Sequence, residues 1–144
     1  DLLELPTVIL RYFNVYGERQ PVRGQYAPVI GIFLRQLAAG EPLTIVGDGD
    51  QRRDFTHVSD VVNANIMAAI SNPDPEACGQ VYNVGTGTNY SVNEIAAMIS
   101  DNTINIPPRI GESRITQANV DKIWKTFGWK SKVKLEDWIK GALS

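Results

Sequence analysis

Thr7-Val8-Ile9-Leu10-Arg11-Tyr12-Phe13-Asn14 is the stretch on which the fold turns. It is rich in β-branched and aromatic residues and is apolar on both faces until its end. That pattern predicts a buried strand of a parallel sheet rather than a half-exposed antiparallel one. Gly17–Gly24 (GERQPVRG) follows as a loop. Pro28 then opens a helix, whose apolar positions Val29, Ile32, Phe33 and Leu37 recur at helical spacing up to a stop at Gly40. Pro42–Val46 and Arg53–His57 read as short strands separated by the turn Gly47-Asp48-Gly49-Asp50. Ser59 is the expected N-cap of a helix over 60–70. Gln80–Val84 reads as a second buried strand. Ser91-Val92-Asn93-Glu94 is a capping box that starts a helix to about Ser100. Further helices are expected over 119–127, stopped by Gly128, and over 135–143.

Two strands of the buried parallel kind, at 7–14 and 80–84, are too few for a self-contained doubly wound sheet. The expectation is therefore that they complete a sheet whose other strands lie elsewhere, and that the chain is the C-terminal part of something larger. Alone, it is expected to expose apolar strand faces and to aggregate.

Composition narrows the function. The 144 residues are 43% hydrophobic, with 14 basic against 16 acidic side chains and a net charge of -2. No basic excess favours nucleic acid. No run approaches the roughly 18 apolar residues of a membrane span, and Asp1–Pro6 (DLLELP) lacks the basic start of a signal peptide. The single Cys78 excludes an internal disulfide and suits a reducing cytoplasm. With His57 as the only histidine, no Cys/His zinc site can form. Eight prolines argue against a coiled coil.

The motif search is largely negative. Gly47-Asp48-Gly49 and Gly85-Thr86-Gly87 begin like a dinucleotide fingerprint, but Arg52 and Tyr90 stand where its third glycine belongs, so both read as turns. There is no P-loop and no G-x-S-x-G. His57 reads as a packed or hydrogen-bonded residue. Trp124, Trp129 and Trp138 read as core and lid packing. Asn14 ends a buried strand, where ligands bind in open α/β sheets. Strand alternation would send Arg52 and Arg53 to opposite faces, one of them toward a cleft. Arginine suits bidentate phosphate binding, although a surface Arg53–Asp54 pair is the simpler reading. Arg109 could hold a phosphate and Glu112 could accept from sugar hydroxyls, with solvated charge as the default.

These pieces together resemble the C-terminal portion of an extended short-chain dehydrogenase/reductase. The likeness is to the NAD-dependent nucleotide-sugar epimerase/dehydratase family, and within it to the UDP-glucose 4-epimerases. It rests on LRYFNVYG (10–17), PLTIVGDGDQRRDFTHVSD (42–60), YNVGTG (82–87), SVNEI (91–95), RIGE (109–112) and FGW (127–129), in that order. The resemblance implies an α/β fold: the C-terminal part of a doubly wound, Rossmann-like parallel sheet plus a small mixed α/β substrate-binding domain. Strands at about 7–14 and 80–84 would join the cofactor-domain sheet, while 25–79 and 88–144 would form the substrate-binding region.

It also implies roles. Tyr12 and Phe13 would lie beside the nicotinamide of NAD. Asn14 would bond the sugar diphosphate, Gln25 and Tyr26 would touch the nucleobase, and Thr44 and Val46 would flank the base. Arg53 and Arg109 would clamp the diphosphate, and Glu112 would bind the ribose. In complete members a tyrosine of Tyr-x-x-x-Lys takes the hydroxyl proton while NAD takes the hydride, and the keto-sugar turns and is reduced from its other face. Here the residues four after each tyrosine are Tyr16, Gln20, Ile30, Thr86 and Glu94, and none is lysine. The chain is therefore expected to hold a nucleotide sugar, of the UDP-sugar kind, but to be inactive alone. NAD would be bound mainly outside it, in a parent that dimerises. A 4,6-dehydratase, a decarboxylase of the same family and a non-catalytic nucleotide-binding module are the alternatives.

Overall fold

The computed structural model describes residues 6–24, 27–71 and 75–144. Strand β1, Ile9–Tyr12, pairs in parallel with β6, Val81–Val84, in the register Ile9↔Val81 to Tyr12↔Val84. The other strands form three more pairs. Two are parallel: β2 (Val15–Tyr16) with β5 (Thr56–His57), and β3 (Leu43–Val46) with β8 (Thr103–Ile106). One is antiparallel, β4 (Arg52–Arg53) with β7 (Tyr90–Ser91).

Among the described residues five α-helices accompany the strands: α1 (Val29–Ala38), α2 (Val58–Ile70), α3 (Val92–Ile99), α4 (Asp121–Phe127) and α5 (Leu135–Ala142). The mixed α/β architecture with parallel strands is the class read from the sequence.

The core is in two parts. One packs α1, β3, α3 and α5 through Ile30, Phe33, Leu43, Ile95 and Ile139. The other packs α2, β6 and α4 through Val61, Tyr82, Val84, Ile123 and Trp129. Alternation sets these contacts: Leu43 and Ile45 of β3 point into the first core, while Thr44 and Val46 face the other way.

Several expectations change. β1 is not buried on both faces. Leu10 packs on the second core, but Ile9 is 54% exposed because none of the described residues covers that face. Val62, Ile66 and Ile70, one turn apart on α2, are exposed as well. The strand expected over 53–57 breaks at Asp54-Phe55, so β4 and β5 take different partners. Helix α2 starts earlier than expected: His57, not Ser59, is the N-cap, and its Nδ1 accepts the Ser59 amide at 3.2 Å. The His57 ring is otherwise buried, edge-on to Tyr16. Trp129 is core and Trp138 meets Tyr16 edge to face, but Trp124 is exposed beneath Lys130. Strand β8 had no counterpart in the sequence reading.

The capping box forms as read. Ser91 Oγ accepts the Glu94 amide at 3.0 Å, and Glu94 accepts the Ser91 amide at 2.7 Å. That amide, followed by Arg52, holds the Glu94 carboxyl below the usual range. Ser91→Ala should cost about 1 kcal/mol in thermal or urea unfolding. An unchanged midpoint would mean that the box contributes nothing.

Candidate nucleotide cleft

The outward face of β3, the start of α1, β4 and the loop after β8 enclose a cleft of about 350 Å³. Its apolar wall includes Val29, Ile32, Val46 and Ile106, and its polar rim includes Asn14, Thr44, Gln51, Arg53, Arg109 and Glu112. Six of the ten residues singled out from the sequence therefore share one hollow: Asn14, Thr44, Val46, Arg53, Arg109 and Glu112. Tyr12 lies elsewhere, its hydroxyl donating to Asn65 Oδ1 at 3.0 Å beside a separate cavity that reaches Cys78. Phe13 is half-buried, bonds Val84 through its amide, and is outside the cleft lining. Gln25 and Tyr26 lie outside the described residues.

Arg53 is the anchored cation. Its side chain is only 14% exposed, and it donates from Nη1 to the Arg52 carbonyl at 2.8 Å and from Nη2 to Glu112 at 3.0 Å. A guanidinium carries five N–H donors, so further donors remain for an anion. Arg52 points the other way, to Asn89 and Glu94, as strand alternation requires. Arg109 is exposed, and among the described residues no carboxylate pairs with it.

Asp54 is no surface partner of Arg53. It is fully buried and accepts from the Thr86 amide (2.8 Å) and hydroxyl (2.7 Å), the Gly87 amide (2.9 Å) and the Ala118 amide (3.1 Å). Buried carboxylates need such donors, and a glycine turn with convergent amides is a nest for one. The nest in Gly85-Thr86-Gly87 was a signal in the sequence that the surface reading passed over. Gln51 was also missed: it is buried and donates to the Val46 carbonyl at 3.0 Å, fixing one corner of the cleft. Beyond it, Arg114 grips both oxygens of Asp48 at 2.8 and 2.9 Å and holds that carboxyl below its ordinary range.

The fold is a mixed α/β one with parallel strands, and comparison with known proteins places it in a family. The model of the NAD dependent epimerase/dehydratase family matches residues 2–85, and the chain belongs to that family. It is 38% identical over 138 residues to a putative UDP-glucose 4-epimerase of Methanocaldococcus jannaschii, covering 92% of this chain and 43% of that one. A UDP-N-acetyl-alpha-D-glucosaminuronate decarboxylase of Bacillus cytotoxicus is 44% identical over 92 residues, 64% of this chain and 27% of that one. Among solved structures, the UDP-glucuronic acid 4-epimerase of Bacillus cereus, in complex with UDP-glucuronic acid and NAD, superposes with a TM-score of 0.85 at 30% identity. That match covers 96% of this chain and 44% of that one, so the chain spans less than half the length of these relatives.

The described residues do not fit a dinucleotide by themselves. The Thr86 and Gly87 amides are already taken by Asp54, and those of Gly47 and Gly49 go to the Ile106 and Val46 carbonyls. Neither of these two glycine turns is free to cradle the pyrophosphate of NAD.

Proposed function

We propose that this chain is the substrate grip of a nucleotide-sugar epimerase of the UDP-glucose 4-epimerase kind. The observation that carries this reading is the pairing of two cations, Arg53 and Arg109, with an apolar slot in one cleft. A nucleoside diphosphate has the same division into an anionic middle and a flat, weakly polar end. In this reading Arg53 and Arg109 hold the diphosphate, the largely buried Arg53 contact worth roughly 1.5–3 kcal/mol when charge-assisted and the exposed Arg109 contact less. Asn14 reaches the sugar-side phosphate, and Glu112, steadied by Arg53, accepts from the ribose hydroxyls. Thr44 and Val46 flank the base.

The grip acts on the part of the substrate that does not react. Fixed at its nucleotide end, the substrate keeps its sugar free to present either face, so remote binding energy is spent on orientation. The proton-taking Tyr-x-x-x-Lys and the NAD site belong, in this proposal, to residues outside these 144, as do the helices through which the parent dimerises. The chain alone is then inactive. Tyr12 and Phe13 border the nicotinamide side.

The test uses the intact protein with UDP-glucose and, separately, UDP-glucuronic acid, followed by proton NMR of the anomeric signals. Appearance of the C4 epimer without loss of carbon is the expected result. Release of carbon dioxide from UDP-glucuronic acid would transfer the assignment to a decarboxylase, and tight UDP binding with no turnover would make it a binding module.

A further inference from the structure

Gln36 lies on α1, is 5% exposed, and is not part of the cleft lining, yet both ends of its amide are spent on Thr44, which is. The Thr44 amide donates to Gln36 Oε1 at 3.1 Å, and Gln36 Nε2 lies 3.0 Å from Thr44 Oγ1. This pair has only one consistent polarity. A backbone N–H can only donate, so the oxygen of Gln36 must face it. The amide nitrogen must then face Oγ1, and because it can only donate, Oγ1 must accept. The hydroxyl proton of Thr44 is left over, and among the described residues it has no acceptor. Thr44 sits on the face of β3 that it shares with Val46, opposite the core-facing Leu43 and Ile45.

We propose that Gln36 is a positioning residue that fixes the Thr44 hydroxyl as a donor into the cleft, so that the site reads a carbonyl oxygen on the edge of the bound base. This rests on the nucleotide reading of the cleft and deepens it. Val29, Ile32, Val46 and Ile106 line the same cleft, and its other polar side chains are assigned above to the phosphates and ribose or, for Gln51, to the Val46 carbonyl. An aligned carbonyl satisfies the hydroxyl. An amino group in its place sets donor against donor and leaves both without that partner, an arrangement that discriminates strongly between ligands. A pyrimidine-2,4-dione such as uracil meets the requirement, and adenine, which has no carbonyl, does not.

The experiment compares, in the intact protein, calorimetric affinities for UDP and for ribose 5-diphosphate, which keeps the diphosphate and lacks the base. Thr44→Val should weaken UDP about tenfold, the worth of one hydrogen bond in a protected site, and leave ribose 5-diphosphate unchanged. Thr44→Ser should bind UDP like the parent. Gln36→Met, close in shape but unable to orient the hydroxyl, should weaken UDP alone, and Gln36→Met combined with Thr44→Val should be no weaker than Thr44→Val. Additive losses, an equal loss of ribose 5-diphosphate in either single variant, or undiminished UDP binding by Thr44→Val would each overturn the inference. Arg53→Ala separates the two levels: it should weaken both ligands. If it weakens neither, the nucleotide reading of the cleft fails; if it behaves as expected while Thr44→Val does not, only the role of Gln36 fails.

Discussion

Asp54→Ala is expected to lower the free energy of unfolding by about 3–5 kcal/mol, as breaking a buried charged network does. The carboxylate is fully buried and answers four donors: the amides of Thr86, Gly87 and Ala118 and the Thr86 hydroxyl. Alanine removes every acceptor at once and leaves three backbone amides without water or partner, each costing about 1–3 kcal/mol before relaxation. The turn cannot simply collapse inward. A Cβ on Gly85 would already meet Ala118 Cβ and Asp54, so that corner is fully occupied. Asparagine keeps the shape but turns an amino group toward some of the same donors, so Asp54→Asn should recover less than half of the loss. Since whole domains hold only about 5–15 kcal/mol, Asp54→Ala should be largely unfolded well before the parent in a urea titration. A midpoint that moves by less than the scatter between preparations would show that the nest is satisfied some other way.

The second large effect concerns binding. Arg53→Ala should reduce the affinity of the intact protein for UDP by about ten- to a hundredfold, the range of one charge-assisted contact. Uridine, which has no phosphates, should bind the variant and the parent alike. Arg53→Lys should restore only part of the loss, because a point charge replaces a planar fork that must serve the Arg52 carbonyl, Glu112 and the diphosphate together. Arg109→Ala should cost less, since that side chain is exposed and screened. Titration calorimetry decides the matter, and equal UDP affinity for Arg53→Ala and the parent would remove Arg53 from the site.

What the sequence revealed follows the range of the interactions involved. Local signals held: the Ser91–Glu94 box, the left-handed stop at Gly128, the helix opened by Pro28 and closed before Gly40. So did the opposite facing of Arg52 and Arg53, which needs only the two-residue period of a strand. Features set by distant partners were lost. Thr103–Ile106 is a strand only because β3 lies beside it, and its four residues are all exposed and interrupted by Asn105. The break at Asp54 depends on amides more than thirty residues downstream, which no local pattern announces. Gln36 carries no local mark either: in an amphipathic helix it reads as one more polar position, and its meaning comes from Thr44 across a loop. The strand-end Asn14 and the arginines were visible because their chemistry is unusual where they stand, whereas the hollow that gathers them is a product of packing.

The strand pairs also set a timetable for biosynthesis. Ile9 waits for Val81, Arg52 for Ser91 and Leu43 for Thr103. A ribosome adding roughly 5–20 residues each second needs several seconds to deliver those partners. Throughout that interval the nascent β3 carries an unpaired edge, and the binding hollow cannot close until Arg109 and Glu112 have left the exit tunnel. The proposed grip on the nucleotide is therefore among the last features of these 144 residues to be born, and the early strands stay unpaired until then.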